Sequence, residues 1–470
     1  MIKVLFLVLP LLLFAREAAV SGVFYPLNKQ QLQNDVHTYL GGATPSEKTH
    51  NKAFIVPHAG YKYSANVASK AYINLKKNYK NIFIIASSHH YTYSGASVYT
   101  KGDYKTPLGK VALNLELAKK LVRENALFSY KEKAHKKEHS IEVQLPFLQT
   151  LYQKGLKIVP ILIGTKSTKE IHTIAKILQP YFQSDENLFI ISSDFSHYPN
   201  YERANYLDKQ TIDTILSKRP SAFVDLLIQN DNDKKADTLA CGWSSVLMLM
   251  YMTQNPKYQY ELLKYANSGD VLGSSKKRVV GYGAIKVYEK PFYLSKNEKR
   301  ILKEIAKNTL YEAVLNAKVL SLDSRDFPAK LKTPYGAFVT LYKNEKLRGC
   351  IGTFEPKEPL YKVIQQMSIS SAFHDTRFQP VSKEELSQIR IKLSVLTPRK
   401  KITSLDEIVI SKHGVYLQKG SKNGTYLPHV ATQMGWDAKT FVQSCAQNKA
   451  GLDKHEYKDA EVFIYESIEF

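Results

Sequence analysis

Four short clusters combine histidine with acidic or hydroxyl residues: Val56-Pro57-His58-Ala59-Gly60-Tyr61, Ser87-Ser88-His89-His90, Glu138-His139-Ser140-Ile141-Glu142 and Ser192-Ser193-Asp194-Phe195-Ser196-His197-Tyr198. Neutral imidazole is a common ligand for zinc, copper and iron, and a carboxylate either joins the ligand set or orients an imidazole from behind. A single histidine of this kind reads as a hydrogen-bonded structural residue. Four clusters, three of them at equivalent places in the chain pattern, point instead to a shared metal pocket. If the metal carries chemistry, His139 or His197 is the natural acid or base, because imidazole titrates near working pH. Asp194 joins them as a candidate catalytic group.

The elements around these clusters share one design. Apolar runs at Ala53–Val56, Ile82–Ala86, Ile158–Ile163 and Leu188–Ile191 end in Pro-His, Ser-Ser-His-His, Gly-Thr and Ser-Ser-Asp. Continuous apolar strands read as buried on both faces, as in parallel sheets. Helical patterns such as Ser64–Lys77 and Leu115–Asn125 lie between them, so the expected fold is an α/β layered domain. In such sheets ligands bind beyond the carboxyl ends of the strands, where these polar residues fall. The third cluster is expected to begin an amphipathic helix continuing through Leu145, Leu148 and Leu151. A last strand, Val279–Tyr288, precedes an expected linker at 289–296. From about Tyr293 the texture changes to a charged helix, Asn297–Lys318, then strand patterns at Gly336–Tyr342, Ile389–Leu396 and Val415–Gln418 and a helix at Ala438–Cys445, which predicts a smaller α+β domain over 297–470.

A chain of 470 residues exceeds one ordinary core, so two domains are expected, the first over 22–288. The formal charge of +23 would favour anionic partners. The lysines are nevertheless scattered in ones and twos, which reads as a solvated surface with no specific nucleic-acid partner. Lys3, the apolar run Val4–Phe14 and the small or polar residues after it predict a secretory signal peptide over 1–21, cleaved near Ala19 or Ser21, and hence a periplasmic or secreted protein. The run is shorter than the roughly 20 residues a membrane span needs, and no later segment qualifies, so no span is expected after cleavage. Cys241, Cys350 and Cys445 are far apart and odd in number, which excludes a disulfide framework, and the absence of any C-x-x-C pair disfavours a structural zinc site. Cys241, beside the apolar stretch Val246–Met252, reads as a buried small residue.

The order V-P-H-A-G-Y, S-S-H-H, T-P-L-G (Thr106–Gly109), E-H-S-I-E-V-Q-L-P-F (Glu138–Phe147), S-S-D-F-S-H-Y, A-C-G (Ala240–Gly242) and Y-A-N-S-G-D (Tyr265–Asp270) resembles the Memo family over about residues 23–288. The resemblance implies a fold similar to the class III extradiol, non-haem iron (LigB-like) dioxygenases, a pocket associated with iron or copper, and an oxidase-type activity. Carried over by position, His58 and His89 match the two ligand histidines and His197 a further histidine of the pocket. Animal members place a cysteine ligand just after a Y-A-Q-S-S-Q segment, whereas the matching stretch here reads Asn267-Ser268-Gly269-Asp270-Val271. The missing thiolate shifts the expected metal from copper to iron, ahead of zinc, with Asp270 or Asp194 supplying an oxygen ligand.

In the second domain, Leu347-Arg348-Gly349-Cys350-Ile351-Gly352, Ala372-Phe373-His374-Asp375-Thr376-Arg377-Phe378-Gln379-Pro380, Gly424-Thr425-Tyr426-Leu427-Pro428 and Lys449-Ala450-Gly451-Leu452 resemble the AMMECR family over about 293–470. That family's function is unknown. The pairing of the two families resembles the AmmeMemoRadiSam system and implies a functional link to a radical S-adenosylmethionine protein. Arg348, Cys350, His374, Asp375 and Arg377 read as an anion-binding cleft, as a Cys/His nucleophilic site, or as a structural turn cornered by Gly349 and Gly352. For the whole chain the expected activity is a metal-dependent redox enzyme on a small-molecule or peptide substrate. The alternatives are a non-catalytic binding or adaptor protein and a metal-handling protein.

Overall fold

Ile, Val and Phe suit a pleated surface, and the four apolar runs are strands in the computed structural model, which describes residues 15–42, 51–75, 79–152, 155–233, 236–255, 257–290, 292–402 and 404–470. The chain divides into two units, Met1–Lys290 and Pro291–Phe470. The described strands of the first are β1 (Asn51–Val56), β2 (Asn81–Ser87), β3 (Ala96–Val98), β4 (Tyr104–Thr106), β5 (Gly109–Leu113), β6 (Phe128–Ser129), β7 (Lys157–Ile163), β8 (Asn187–Ser192), β9 (Tyr258–Asn267) and β10 (Gly281–Glu289). They join in the order β4-β5-β7-β2-β8-β1-β10-β9, with β3 pairing β7 and β6 pairing β3. From β5 to β1 the neighbours are parallel, while β10 and β9 add on antiparallel.

Alternate residues of each central strand enter opposite cores. Phe54, Val56, Ile82 and Ile84 pack with the helices Lys29–Leu40, Tyr61–Tyr72 and Leu145–Leu151. Ala53, Ile55, Phe83 and Ile85 pack with Thr168–Gln183 and Trp243–Met252. Two-sided burial is why these strands carry no polar alternation.

Two local expectations change. The strand expected at Val279–Tyr288 is β10, and its partner β9 was unassigned because it is an edge strand with Glu261 and Leu262 exposed and so lacks an apolar run. The helix expected from Glu138 starts later, as a 3-10 turn at Glu142–Gln144 followed by Leu145–Leu151. The Glu138 carboxylate accepts from the backbone N–H groups of His139 and Ser140 and so closes a turn there instead. The expected cleavage near residue 21 meets a structural constraint. The apolar run Val4–Phe14 lies outside the described residues, but Arg16 is buried and bridges Tyr104 beside β4. Cleavage near Ala19 or Ser21 would strip a buried charge out of the domain. Among the described residues no helix is long and apolar enough to cross a membrane.

The second unit is α+β. Its first helix, Lys296–Asn316, starts at a capping box in which Ser295 and Glu298 satisfy each other's backbone N–H groups. Glu289 still belongs to β10 and Lys290 donates its N–H to the Lys257 carbonyl, so the connection is shorter than the expected linker. The strands are β11 (Ala337–Lys343), β12 (Lys346–Thr353), β13 (Ile389–Leu396), β14 (Lys400–Lys401), β15 (Gly414–Lys419), β16 (Lys422–Tyr426), β17 (Glu461–Tyr465) and β18 (Ser467–Glu469). Among the described residues they form two sheets, β12-β11-β13-β18 and β14-β17-β15-β16.

Candidate metal centre

Strand order brings the histidines together. β8 lies between β1 and β2, so the residues following these three strands converge at one end of the sheet, about two strand spacings across. His58 follows β1, Ser192 and Asp194 close β8, and His89 follows β2. The turn at Glu138 brings in His139. The ring centroids of His58, His89 and His139 are 5.0–5.2 Å apart, and one ring nitrogen of each lies within 4.8 Å of the others.

Hydrogen bonds fix which nitrogens face inward. His58 Nδ1 is 2.9 Å from Ser192 Oγ. The Ser192 hydroxyl gives its one proton to the Ser140 carbonyl at 2.7 Å and receives a bond from Gln144 Nε2 at 2.9 Å. It can therefore only accept from His58, which puts the ring proton on Nδ1 and leaves the lone pair on Nε2. Burial holds this imidazole neutral, its pKa pushed well below the ordinary value, with His89 and His139 adding to the effect. His89 is oriented the same way: its Nδ1 is 2.9 Å from Glu138 Oε1 and its backbone N–H donates to Oε2. Burial opposes a proton on His89, but bonds to Cys241 and Glu138 outweigh it and raise the pKa to about 11. Glu138 stays ionised: burial works against its charge, yet the bond and charge of His89 and the N–H of Ser140 drive its pKa far down.

The thiol that the Asn267–Val271 stretch lacks is present elsewhere. Cys241 Sγ is 3.1 Å from His58 Nε2 and also accepts from the Asp194 N–H. His58, Asp194 and Cys241 form a second group whose ligand atoms lie within 4.8 Å of one another. Burial pushes the thiol pKa up and the bond with His89 pulls it back. Cys241 is thus no mere packing residue, and a missing thiolate no longer disfavours copper. Its signal was the glycine after it. A Cβ on Gly242 would lie 2.5 Å from the Ser193 side chain, so only glycine lets the start of the helix Trp243–Met252 press its thiol against β8.

Asp194 is buried, accepts the His58 N–H at 2.7 Å, and has its pKa raised to about 7 by burial, against the pull of the His58 N–H and the His89 charge. His139 is lowered to about 4 by burial against the attraction of Glu138, and its ring meets Phe24 edge-on. His197 stands beside the two groups and belongs to neither. Its Nε2 is buried with no partner among the described residues, and burial followed by the charge of His89 lowers its pKa to about 4. Asp270 is removed from the ligand set: one oxygen accepts from Tyr201 Oη at 2.6 Å, the other caps Asn267 N–H at 2.8 Å, and the residue is exposed. The donors form two overlapping groups that share His58, the imidazoles of His89 and His139 in one and the Asp194 carboxyl and Cys241 thiol in the other, which suits a borderline transition-metal cation.

In the second unit the arginines are already paired. Arg348 clamps Glu385 through Nε and Nη2 at 3.0 and 2.9 Å. Arg377 clamps Asp375 at 2.8 and 2.7 Å, and Asp375 also accepts the Cys350 N–H. Cys350 Sγ lies 3.3 Å from Thr340 Oγ1, and among the described residues no hydrogen bond joins it to His374, an exposed residue ending the helix Leu360–Phe373. Gly349 and Gly352 form no corner. They lie inside β12: a Cβ on Gly349 would meet the Ser371 carbonyl at 2.1 Å, so this glycine admits a helix backbone against the sheet, while a Cβ on Gly352 would meet the Phe338 ring of the neighbouring strand at 2.3 Å.

A family model described as Memo-like protein matches residues 16–286, and one described as AMMECR1 matches residues 303–470. A MEMO1 family protein of Desulfurococcus amylolyticus is 34% identical over 286 residues, spanning 58% of this chain and 99% of its own length. One of Methanosarcina mazei is 35% identical over 275 residues, spanning 57% and 98%. The crystal structure of the uncharacterised protein PH0010 of Pyrococcus horikoshii is 30% identical and covers 38% of this chain and 93% of its own, with a TM-score of 0.36. The chain thus belongs to the Memo family through its first unit and carries an AMMECR1 domain in its second.

Proposed function

We propose that the Memo unit is a metal-dependent redox enzyme whose centre is held by His58, His89 and Cys241, with His139 and Asp194 alongside. The observation that carries this reading is the pair of imidazoles fixed by Ser192 and Glu138, one of which points its Nε2 lone pair at a thiol 3.1 Å away. A structural histidine needs no second hydrogen bond arranged to free its inner nitrogen. We assign iron ahead of zinc or copper, because the buried Asp194 carboxyl adds a hard oxygen donor to the imidazoles and the thiol. Bound iron would supply redox chemistry with O2. The chain's own groups would handle protons: His139 and His197, neutral at working pH, accept one.

The parallel strands with the pocket at their carboxyl ends support a kinship with the class III extradiol dioxygenase fold. We also infer a small-molecule or peptide substrate, export directed by Val4–Phe14, and a functional link to a radical S-adenosylmethionine protein. A non-catalytic adaptor would not need the converging donors. The purified protein is expected to hold about one iron per chain, lost in His58→Ala/His89→Ala and weakened in Cys241→Ser. Metal analysis that finds no metal in the native protein and no uptake by the metal-free form would refute the proposal. Metal bound with no Fe(II)-dependent O2 consumption across candidate substrates would favour metal handling.

A further inference from the structure

The segment Arg16–Tyr25 wraps the turn that supports the metal pocket, and one guanidinium ties it down. Arg16 donates from Nε to the His135 carbonyl at 2.9 Å, from Nη2 to the Glu138 carbonyl, and from Nη1 to Glu142 Oε2 at 2.8 Å, while its cationic face stacks on Tyr104. The three acceptors bracket the stretch that carries Glu138 and His139. Glu142 is wholly buried, and its remaining acceptor sites take the N–H groups of Ala19 and Val20 and the hydroxyl of Tyr25. The strap then passes over Gly60, where Phe24 accepts the Tyr61 N–H, and sets its Phe24 ring against His139 at 5.0 Å. A buried carboxylate stripped of its arginine partner is a strongly unfavourable arrangement. Loss of Arg16 would therefore free the turn, and with it the Glu138 oxygens that hold His89.

We propose that Arg16 is a positioning residue of the metal pocket, acting through the Glu138–Glu142 turn, and that any processed form with a working pocket is cut on the N-terminal side of Arg16. The inference rests on the metal reading above for its binding readout, but not for its structural one. Chains beginning at Arg16 and at Gly22 are compared with the full chain, together with Arg16→Lys, Arg16→Met and the charge-balanced double variant Arg16→Met/Glu142→Gln. Two readouts are taken: Zn(II) and Fe(II) affinity by chelator competition, and the NMR shift of the His139 ring protons set by Phe24 in the metal-free protein. The chain beginning at Arg16 is expected to match the full chain. Arg16→Met and the Gly22 form are expected to lose at least about tenfold in affinity and the shifted His139 signal, with partial rescue in Arg16→Lys.

The double variant separates positioning from stability. It removes the unpaired buried charge, so it recovers thermal stability, yet it still lacks the bonds to the His135 and Glu138 carbonyls and stays defective in both readouts. A double variant, or a Gly22 form, with full metal affinity and an unchanged His139 signal would overturn the proposal. If no form binds metal, the metal reading fails, and the His139 signal alone decides the role of Arg16. A metal-loaded protein isolated from cells with its N-terminus at Gly22 would also overturn it.

Discussion

Replacing Ser192 by alanine removes one oxygen from behind His58 and leaves the strand packing in place. That oxygen is the acceptor for the His58 Nδ1 proton at 2.9 Å. The other donor to it, Gln144 Nε2, keeps the Pro57 carbonyl at 3.0 Å, so the loss concentrates on His58. His58 is 1% exposed and water does not reach it to compensate. Leaving a buried donor unpaired costs about 1–3 kcal/mol. The ring can escape that cost by moving its proton to Nε2, but this is the nitrogen a cation needs. The penalty therefore falls on the metal-competent tautomer, and about 1–3 kcal/mol corresponds to a loss of roughly 5- to 150-fold in affinity at 1.4 kcal/mol per decade. Losses of about 10- to 100-fold for groups that orient ligands agree with this range. Chelator competition at pH 7 measures the affinity, and thermal unfolding of the metal-free protein shows whether the fold is intact. Affinity within twofold of the wild type, in a variant that folds normally, would mean that Ser192 does not set the His58 tautomer.

Two further outcomes follow from the paired carboxylates. Asp270→Asn should leave metal affinity unchanged within about twofold while loosening the Tyr201 and Asn267 contacts, because both its oxygens are engaged away from the pocket; a tenfold loss in a competition titration would return Asp270 to the ligand set. In the second unit the Arg377 clamp lowers Asp375 from 3.8 to about 2 despite burial, and the Arg348 clamp lowers Glu385 from 4.5 to about 2. A carboxyl with a lowered folded pKa stabilises above its ordinary value and loses that contribution as pH falls through the folded one. Urea unfolding of this unit within the full chain should show stability falling between about pH 4.5 and pH 2, and Arg377→Ala or Arg348→Ala should flatten that slope. An unchanged slope would show that the clamps do not set these pKa values.

The sequence displays strand ends better than it displays side-chain destinations. His58, His89, His139 and Asp194 were legible because each follows or faces a continuous apolar run, and such runs have one place to go in a parallel sheet. Cys241 was misread because a cysteine beside an apolar helix looks like packing, and its contact with His58 depends on a pairing 183 residues apart. Asp270 was over-read because its short capping bonds, to a residue three places back and to Tyr201, leave no mark on composition. The contacts of Arg16 left no local mark: Ala15–Gly22 has the small residues of a cleavage site, and Arg16 and its partner Glu142 lie more than a hundred residues apart. The glycines of β12 read as a corner because a close approach, of a helix at Gly349 and of the Phe338 ring at Gly352, and a turn both call for a missing Cβ.

The parallel strand order has a consequence for how this protein reaches its native state. β1 and β2 do not touch each other until β8 has entered between them, and β8 is made more than a hundred residues after β2. Joining them closes long loops before any contact repays the entropy, a slow step that local helix formation cannot shortcut. On the ribosome the two histidines would emerge early and remain strangers until the middle of the chain arrives, followed by the thiol. A cation could not template this domain as it does a zinc finger. It could only be received by a sheet already built, so metal capture should be among the last events of folding and a sensitive report that the central strands have found their order.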